Sequence, residues 1–141
     1  MASKFRFTRE VEVRFADMDS LGHVNNAVYL TYFEQVRMAY WMQVTGRSHL
    51  RDMDMILARA EVDFRSPLVH PETVEIGCAC ASIGRTSFVL EQDMHERKSG
   101  RLVAEARKVL VHYDYAAGRP RAIGEDLRRM ILALDPEARQ G

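Results

Sequence analysis

Cysteine is nearly absent from these 141 residues, proline numbers four, and neither sign of charge is in excess. Each scarcity removes a class of protein. The two cysteines, Cys78 and Cys80, lie one residue apart on a strand-like run, a spacing poorly suited to a disulfide between them. They also lack the C-x-x-C spacing of a metal or redox pair, so they read as two small buried apolar residues in a reducing cytoplasm. The 20 basic residues balance 20 acidic ones. That balance argues against nucleic acid or an anionic membrane as the main partner, because both select a basic excess. No apolar stretch approaches the ~20 residues needed to span a bilayer. The opening "MASKFRFTREVEV" enters alternation directly, without the apolar core of a signal peptide, so a cytoplasmic protein is expected.

What remains is ordinary globular composition, 47% hydrophobic and 28% charged. A chain of this length is most simply one domain, residues 1–141, burying roughly two-thirds of its surface on folding. The first segment alternates, with Phe5, Phe7, Val11, Val13 and Phe15 on one face and Arg6, Thr8, Glu10, Glu12 and Arg14 on the other. A helix is predicted from about Asn26 to Val44, ended by Gly46. Tyr29, Tyr32, Phe33, Val36 and Tyr40 gather on one side of it, and Leu30, Met38, Trp41 and Met42 on the other. A helix apolar almost all round is a buried one, and something must wrap it.

The remaining residues supply that layer. Four alternating runs are predicted as strands at 55–65, 73–83, 87–95 and 102–113. Their inward faces read Ile56, Ala58, Ala60, Val62, Phe64; Val74, Ile76, Cys78, Cys80; Phe88, Leu90, Met94; and Val103, Val109, Val111, Tyr113. The links "SPLVHPE", "GRT" and "KSG" are short, which suits antiparallel neighbours and leaves no room for crossover helices. A short amphipathic helix, roughly Glu125 to Leu134, closes the chain. The expected class is α+β, an antiparallel sheet packed on a buried helix.

The chemistry concentrates in "ADMDSLGHVNNAVY", residues 16–29, which sets two carboxylates, a histidine and two asparagines before the helix. A helix N-terminus offers unpaired N–H groups and about half a positive charge. Asp19 lies about seven residues ahead of it, close enough to fold over the helix end; a turn or cap is the plain alternative for an aspartate. Asn25 and Asn26 are good N-caps. A second Asp-x-Asp, Asp52 and Asp54 in "RDMDM", shows how little the dipeptide says by itself. Nothing recruits a third oxygen ligand to either pair, so no metal is expected.

The string "VRFADMDSLGHVNNAVYLTYFEQVR", residues 13–37, resembles the opening of hotdog-fold thioesterases of the 4-hydroxybenzoyl-CoA thioesterase type. The resemblance rests on Asp17-x-Asp19, Gly22-His23-Val24-Asn25-Asn26, Tyr29, Tyr32, Glu34 and Arg37, and extends more loosely to about Tyr113. It implies the hotdog fold, a curved antiparallel sheet wrapped around a long central helix. It implies hydrolysis of an acyl-CoA, or an acyl carrier protein thioester, to a free acid and thiol, without metal or cofactor. By the same resemblance Asp19 is the catalytic carboxylate and the amide at or next to Asn26 holds the thioester carbonyl. His23, Asn25 and Tyr29 fall where they would border the substrate, although a core tyrosine is the equal alternative for Tyr29. Arg85, Thr86 and Ser87 fall at the turn where relatives contact the phosphates of coenzyme A; a solvated hairpin tip is the alternative. The resemblance also implies a homodimer or homotetramer. Two other functions stay open: an enoyl-CoA hydratase or dehydratase using Asp19 and His23, and a non-catalytic acyl-binding module.

Overall fold

A computed structural model describes residues Ser3–Gly141. The elements run β1 (Phe7–Glu12), α1 (Asn26–Thr45), β2 (Met55–Phe64), β3 (Thr73–Ile83), β4 (Ser87–Glu96), β5 (Leu102–Asp114), β6 (Arg119–Pro120), α2 (Glu125–Leu134) and β7 (Arg139–Gln140). The four predicted strands and both helices are present within a residue or two of the expected bounds. The sheet is ordered β1-β3-β4-β5-β2, with β6 beside β5 and β7 beside β3. β1 lies antiparallel on β3, with Phe7 opposite Cys78 and Glu12 opposite Thr73. One pairing departs from the antiparallel expectation: β7 runs parallel to β3, at Ser82 and Ile83.

Three patterns of burial differ from the alternation. Along β5 the buried row is Ala104, Ala106, Lys108, Leu110 and His112, with Val103 also buried, while Val109, Val111 and Tyr113 are only half-buried. Polar residue types conceal the inward face there. Phe15 is 77% exposed, because β1 ends at Glu12 and the chain turns through a short 3-10 segment, Phe15–Asp17. β2, a terminal strand of the sheet, leaves Ile56, Leu57 and Phe64 exposed. Helix α1 buries Tyr29, Tyr32, Phe33, Val36, Tyr40 and Trp41, yet it is not buried all round. Leu30, Thr31, Glu34 and Gln35 form an open stripe at helical spacing.

The chain divides into two compact units. One comprises the residues up to Met38 with Val62–Cys78 and Gln92–Ala106; the other comprises Ala39–Glu61, Ala79–Glu91 and Arg107–Gly141. In the first, Phe33, Val74, Ile76, Met94 and Val103 are fully buried. Gln92 Nε2 donates to the Phe33 carbonyl at 2.9 Å, fixing β4 to the helix backbone. A Cβ at Gly77 would lie 2.0 Å from Ser3 Oγ and 2.7 Å from Asp93 Oδ1, so any larger residue there displaces those two side chains. In the second unit Trp41 stacks on Phe88, ring centroids 4.8 Å apart. Asp135 at the end of α2 accepts from Tyr40 Oη and from the Cys80 amide. Cys78 and Cys80 are both buried, and burial pushes the Cys80 thiol up to about 12, an inert thiol.

Candidate active site

Within the first unit, residues 14–25 fold back on themselves before entering α1. Met18 bridges Val24, the Asp19 amide donates to the His23 carbonyl at 3.0 Å, and the Gly22 amide donates to the Asp19 carbonyl at 3.1 Å. The turn needs φ +87° at Gly22, a conformation L side chains rarely adopt. Val24 is fully buried and its amide donates to the Leu68 carbonyl at 2.7 Å, which pins the loop to the segment between β2 and β3.

The loop delivers one carboxylate into the protein and one to its surface. Asp17 is buried, accepting from Tyr32 Oη at 2.5 Å, from the Arg14 guanidinium at 2.7 Å and from the Arg14 amide at 3.1 Å. The Arg14 bond, aided by that from Tyr32, holds the Asp17 carboxyl down at about 2 against the opposing effect of burial. Burial and the same bond push the Tyr32 phenol up. Asp19 is half-buried: Oδ1 accepts the Leu21 amide at 2.9 Å, and Oδ2 accepts Asn25 Nδ2 at 3.4 Å. The side chain of Leu21, two residues on, is 78% exposed.

Asn25 caps the helix. Its Oδ1 accepts the Ala27 amide at 2.9 Å and its carbonyl accepts the Val28 amide at 2.9 Å, while its own amide donates to the Asp17 carbonyl at 3.1 Å. That accounting leaves Asn26. Its amide, the first of the helix, has no acceptor among the described residues. The side chain of Asn25 therefore joins the Asp19 carboxylate to the amide of Ala27, the residue that follows this open N–H.

The other expected residues fall as follows. His23 Nδ1 lies 3.3 Å from the Val24 carbonyl, whereas the Asp19 carboxylate bonds to Leu21 and Asn25. Tyr29 is buried, its ring edge-on to Phe64 at 5.1 Å and its hydroxyl 3.4 Å from the Ser66 carbonyl. Burial pushes its phenol up. In the second unit Arg85, Thr86 and Ser87 occupy a tight turn closed by the Gly84 amide donating to the Ser87 carbonyl at 2.7 Å. The Thr86 carbonyl accepts the His112 amide and the Arg85 carbonyl the Ile123 amide, each at 2.8 Å, so the turn's backbone is fixed and the Arg85 side chain projects to solvent.

Two arrangements escaped the sequence reading. One is the Arg14–Asp17–Tyr32 cluster, whose members the motif contains but whose bonds span fifteen positions. The other is Asp54, set aside as half of a second Asp-x-Asp. It is buried, and it accepts from Trp41 Nε1 at 2.8 Å, from Arg47, and from His112 Nε2 across 3.0 Å. Burial opposes that charge, but the three bonds outweigh it and hold the carboxyl far below the usual range. Among the described residues no three His, Cys, Asp or Glu side chains converge as metal ligands, and no helix is long and apolar enough to cross a membrane.

Residues 13–131 match the model of the Thioesterase-like superfamily. The chain belongs to that superfamily. A thioesterase from Thermus thermophilus, solved in complex with coenzyme A and Zn, superposes with a TM-score of 0.84 at 35% identity, over 94% of this chain and 96% of that one. A predicted thioesterase from Bacillus stearothermophilus gives a TM-score of 0.82 at 27% identity, covering 96% and 98%. The long-chain acyl-CoA thioesterase FadM of Escherichia coli (strain K12) is 24% identical over 127 residues, 86% of this chain and 94% of FadM. An uncharacterized protein, YsmA of Bacillus subtilis (strain 168), is 28% identical over 88 residues, 62% of this chain; the match spans 60% of YsmA's length. Membership of the superfamily and these thioesterase neighbours support thioester hydrolysis as the chemistry and the thioesterase hotdog architecture as the fold.

Proposed function

We propose that this superfamily member hydrolyses an acyl-CoA thioester, and that Asp19 and the Asn26 amide carry the reaction. The observation behind the reading is the open first amide of α1 together with a carboxylate that accepts from the residue capping that helix. A thioester is already activated, so it needs a group to deliver the nucleophile and a donor for the developing oxyanion. An N–H aimed at that oxygen is typically worth ~10²–10³ in rate, and the helix end adds about half a positive charge. The thioester carbonyl oxygen sits on the Asn26 N–H. Asp19 either attacks the carbonyl carbon or takes a proton from an attacking water. The tetrahedral intermediate then collapses, breaking the C–S bond and releasing the thiolate of CoA. The water route yields the acid at once. The Asp19 route leaves an Asp19–acyl anhydride that a water must cleave to free the acid and restore the carboxylate. Single turnover in ¹⁸O-water bears on the route. An unlabelled first acid, with the label in the Asp19 carboxylate, requires attack by Asp19 and cleavage of the anhydride at the Asp19 carbonyl. Attack by water on the thioester gives a labelled acid and an unlabelled protein.

The finer assignments belong to the same proposal. His23, Asn25 and Tyr29 border the acyl thioester, and the Arg85–Thr86–Ser87 turn takes phosphate oxygens of CoA, for which cationic and hydroxyl donors are suited. The substrate is an acyl-CoA, or an acyl carrier protein thioester, as the resemblance to the 4-hydroxybenzoyl-CoA thioesterase type implies. The sheet curves about α1 as a long central helix, and the protein acts in the cytoplasm as a homodimer or homotetramer. The exposed apolar residues of β2 support that assembly, since a sheet edge bearing Ile56, Leu57 and Phe64 is a surface proteins cover.

A thiol-release screen across acyl thioesters tests the function. Release of free thiol from at least one acyl-CoA supports it. Loss of an enoyl-CoA double bond without thiol release would favour a hydratase, and tight binding without turnover a binding module. The separate hydrogen bonding of His23 and Asp19 weighs against the hydratase pairing.

A further inference from the structure

We infer that Asp17 and Tyr32 are positioning residues, a buried clamp that fixes the Asp19 loop to helix α1; the inference rests on the hydrolase reading of Asp19. Asp19 is held within its own loop, where its carboxylate accepts the Leu21 amide at 2.9 Å, but only weakly against the helix. It is half-buried, and its one side-chain link to the helix is a 3.4 Å bond from Asn25, at the long end for hydrogen bonds. The short bonds lie two residues earlier. Asp17 reaches in three directions at once: to Tyr32 in the second turn of α1 at 2.5 Å, to Arg14 at the start of the loop at 2.7 Å, and through its carbonyl to the Asn25 amide at 3.1 Å. The last of these fixes the residue that caps the helix and touches Asp19.

Burying a carboxylate is costly unless every oxygen is satisfied, so this residue is a poor way merely to fill space. It is an effective way to fix a loop against a helix. Asp17 and Asp19 are separated by one residue, so a tilt at Asp17 carries directly into the carboxylate at Asp19. Displacements of about 1 Å at a reacting group cost on the order of 10²-fold in rate. Among the described residues neither Asp17 nor Tyr32 bonds to the Asn26 amide, and both act through Asp19 and Asn25.

The test uses Tyr32→Phe, which removes one oxygen and leaves the ring in place, and Asp17→Asn, which keeps the shape and one acceptor. For correctly folded Tyr32→Phe protein, kcat for thiol release should fall about 10- to 100-fold with KM within about threefold. The same substitution placed in an Asp19→Ala background should cost nothing further, because the clamp works through Asp19. A residue that only stabilised the fold would lower Tm and leave kcat per folded molecule unchanged in either background. Hydrogen exchange gives a readout independent of turnover. The amides of Asp19, Leu21 and Asn25 should lose at least about tenfold of their protection in Tyr32→Phe, while those of β3 and β4 keep theirs. Unchanged exchange at these three amides, or a kcat loss that persists undiminished without Asp19, would overturn the inference. If the unmodified chain releases no thiol from any acyl-CoA, the hydrolase reading falls, and the exchange result still decides whether the clamp holds the loop.

Discussion

Asn25 holds Asp19 and the first turn of α1 together, its Nδ2 donating to Asp19 Oδ2 at 3.4 Å while its Oδ1 accepts the Ala27 amide at 2.9 Å. The two tasks separate by substitution. Aspartate caps as well as asparagine, but it replaces the donor facing Asp19 with a like charge. Asn25→Asp is therefore expected to keep its thermal stability and lose about tenfold or more in kcat. Asn25→Ala should lose activity and also about 1 kcal/mol of stability with the cap. Thermal unfolding beside thiol release reads both.

Acid stability follows from Asp17. Hydrogen bonding from Arg14 lowers its carboxyl from the ordinary 3.8 to about 2, so the folded chain binds this proton more weakly than the unfolded one. The stability it contributes is thus fully present above roughly pH 5 and is lost as pH falls through about 4 toward 2. Urea unfolding of the unmodified chain and Asp17→Asn should differ by a constant amount near neutrality and converge below about pH 4. Part of the acid limb should persist in the variant. Glu96, also held near 2 by the amides of Lys98 and Ser99 and by the Ser99 hydroxyl, titrates in the same window.

Asp54 serves structure in the second unit. Replacing it with leucine leaves Trp41 Nε1, Arg47 and His112 without their shared acceptor. Breaking a buried pair in this way typically costs ~3–5 kcal/mol. The urea midpoint should drop accordingly, and kcat per folded molecule should be unchanged.

These buried polar groups also mark where the sequence was hard to read. The bounds of β2, β3, β4 and β5 were legible because alternating runs end in short links carrying turn residues. The inward face of β5 was not, because Lys108 and His112 occupy it, and local pattern sends such residues outward. His112 is accommodated by Asp54 and by the Ala122 carbonyl, partners no neighbouring residue announces. Phe15 errs the other way, an apolar residue left on the surface by a loop whose path is set by Gly22 and Asp17. At the candidate site the helix start and its cap were visible in "NNAVY". The clamp from Asp17 to Tyr32 was not, because it joins a loop to the second turn of a helix.

Arg85 tests the proposed phosphate contact. A contact made equally in ground and transition states changes KM and leaves kcat alone. Arg85→Ala is expected to raise KM for an acyl-CoA about 5- to 10-fold, as for the loss of ~1 kcal/mol or slightly more of a charge-assisted bond. The acyl-pantetheine, which lacks the nucleotide phosphates, should show no such change. Equal effects on both substrates would place Arg85 elsewhere.

The most direct test of the account is kcat for thiol release by Asp19→Ala at saturating acyl-CoA, on protein shown to be folded by its unfolding transition. Asp19 is half-buried with modest contacts, so the substitution should leave Tm nearly unchanged. The account predicts that kcat falls ~10²–10⁴-fold, the range for removing a positioned acid–base group. A kcat within about threefold of the unmodified chain would contradict it, because hydrolysis would then proceed without the Asp19 carboxylate.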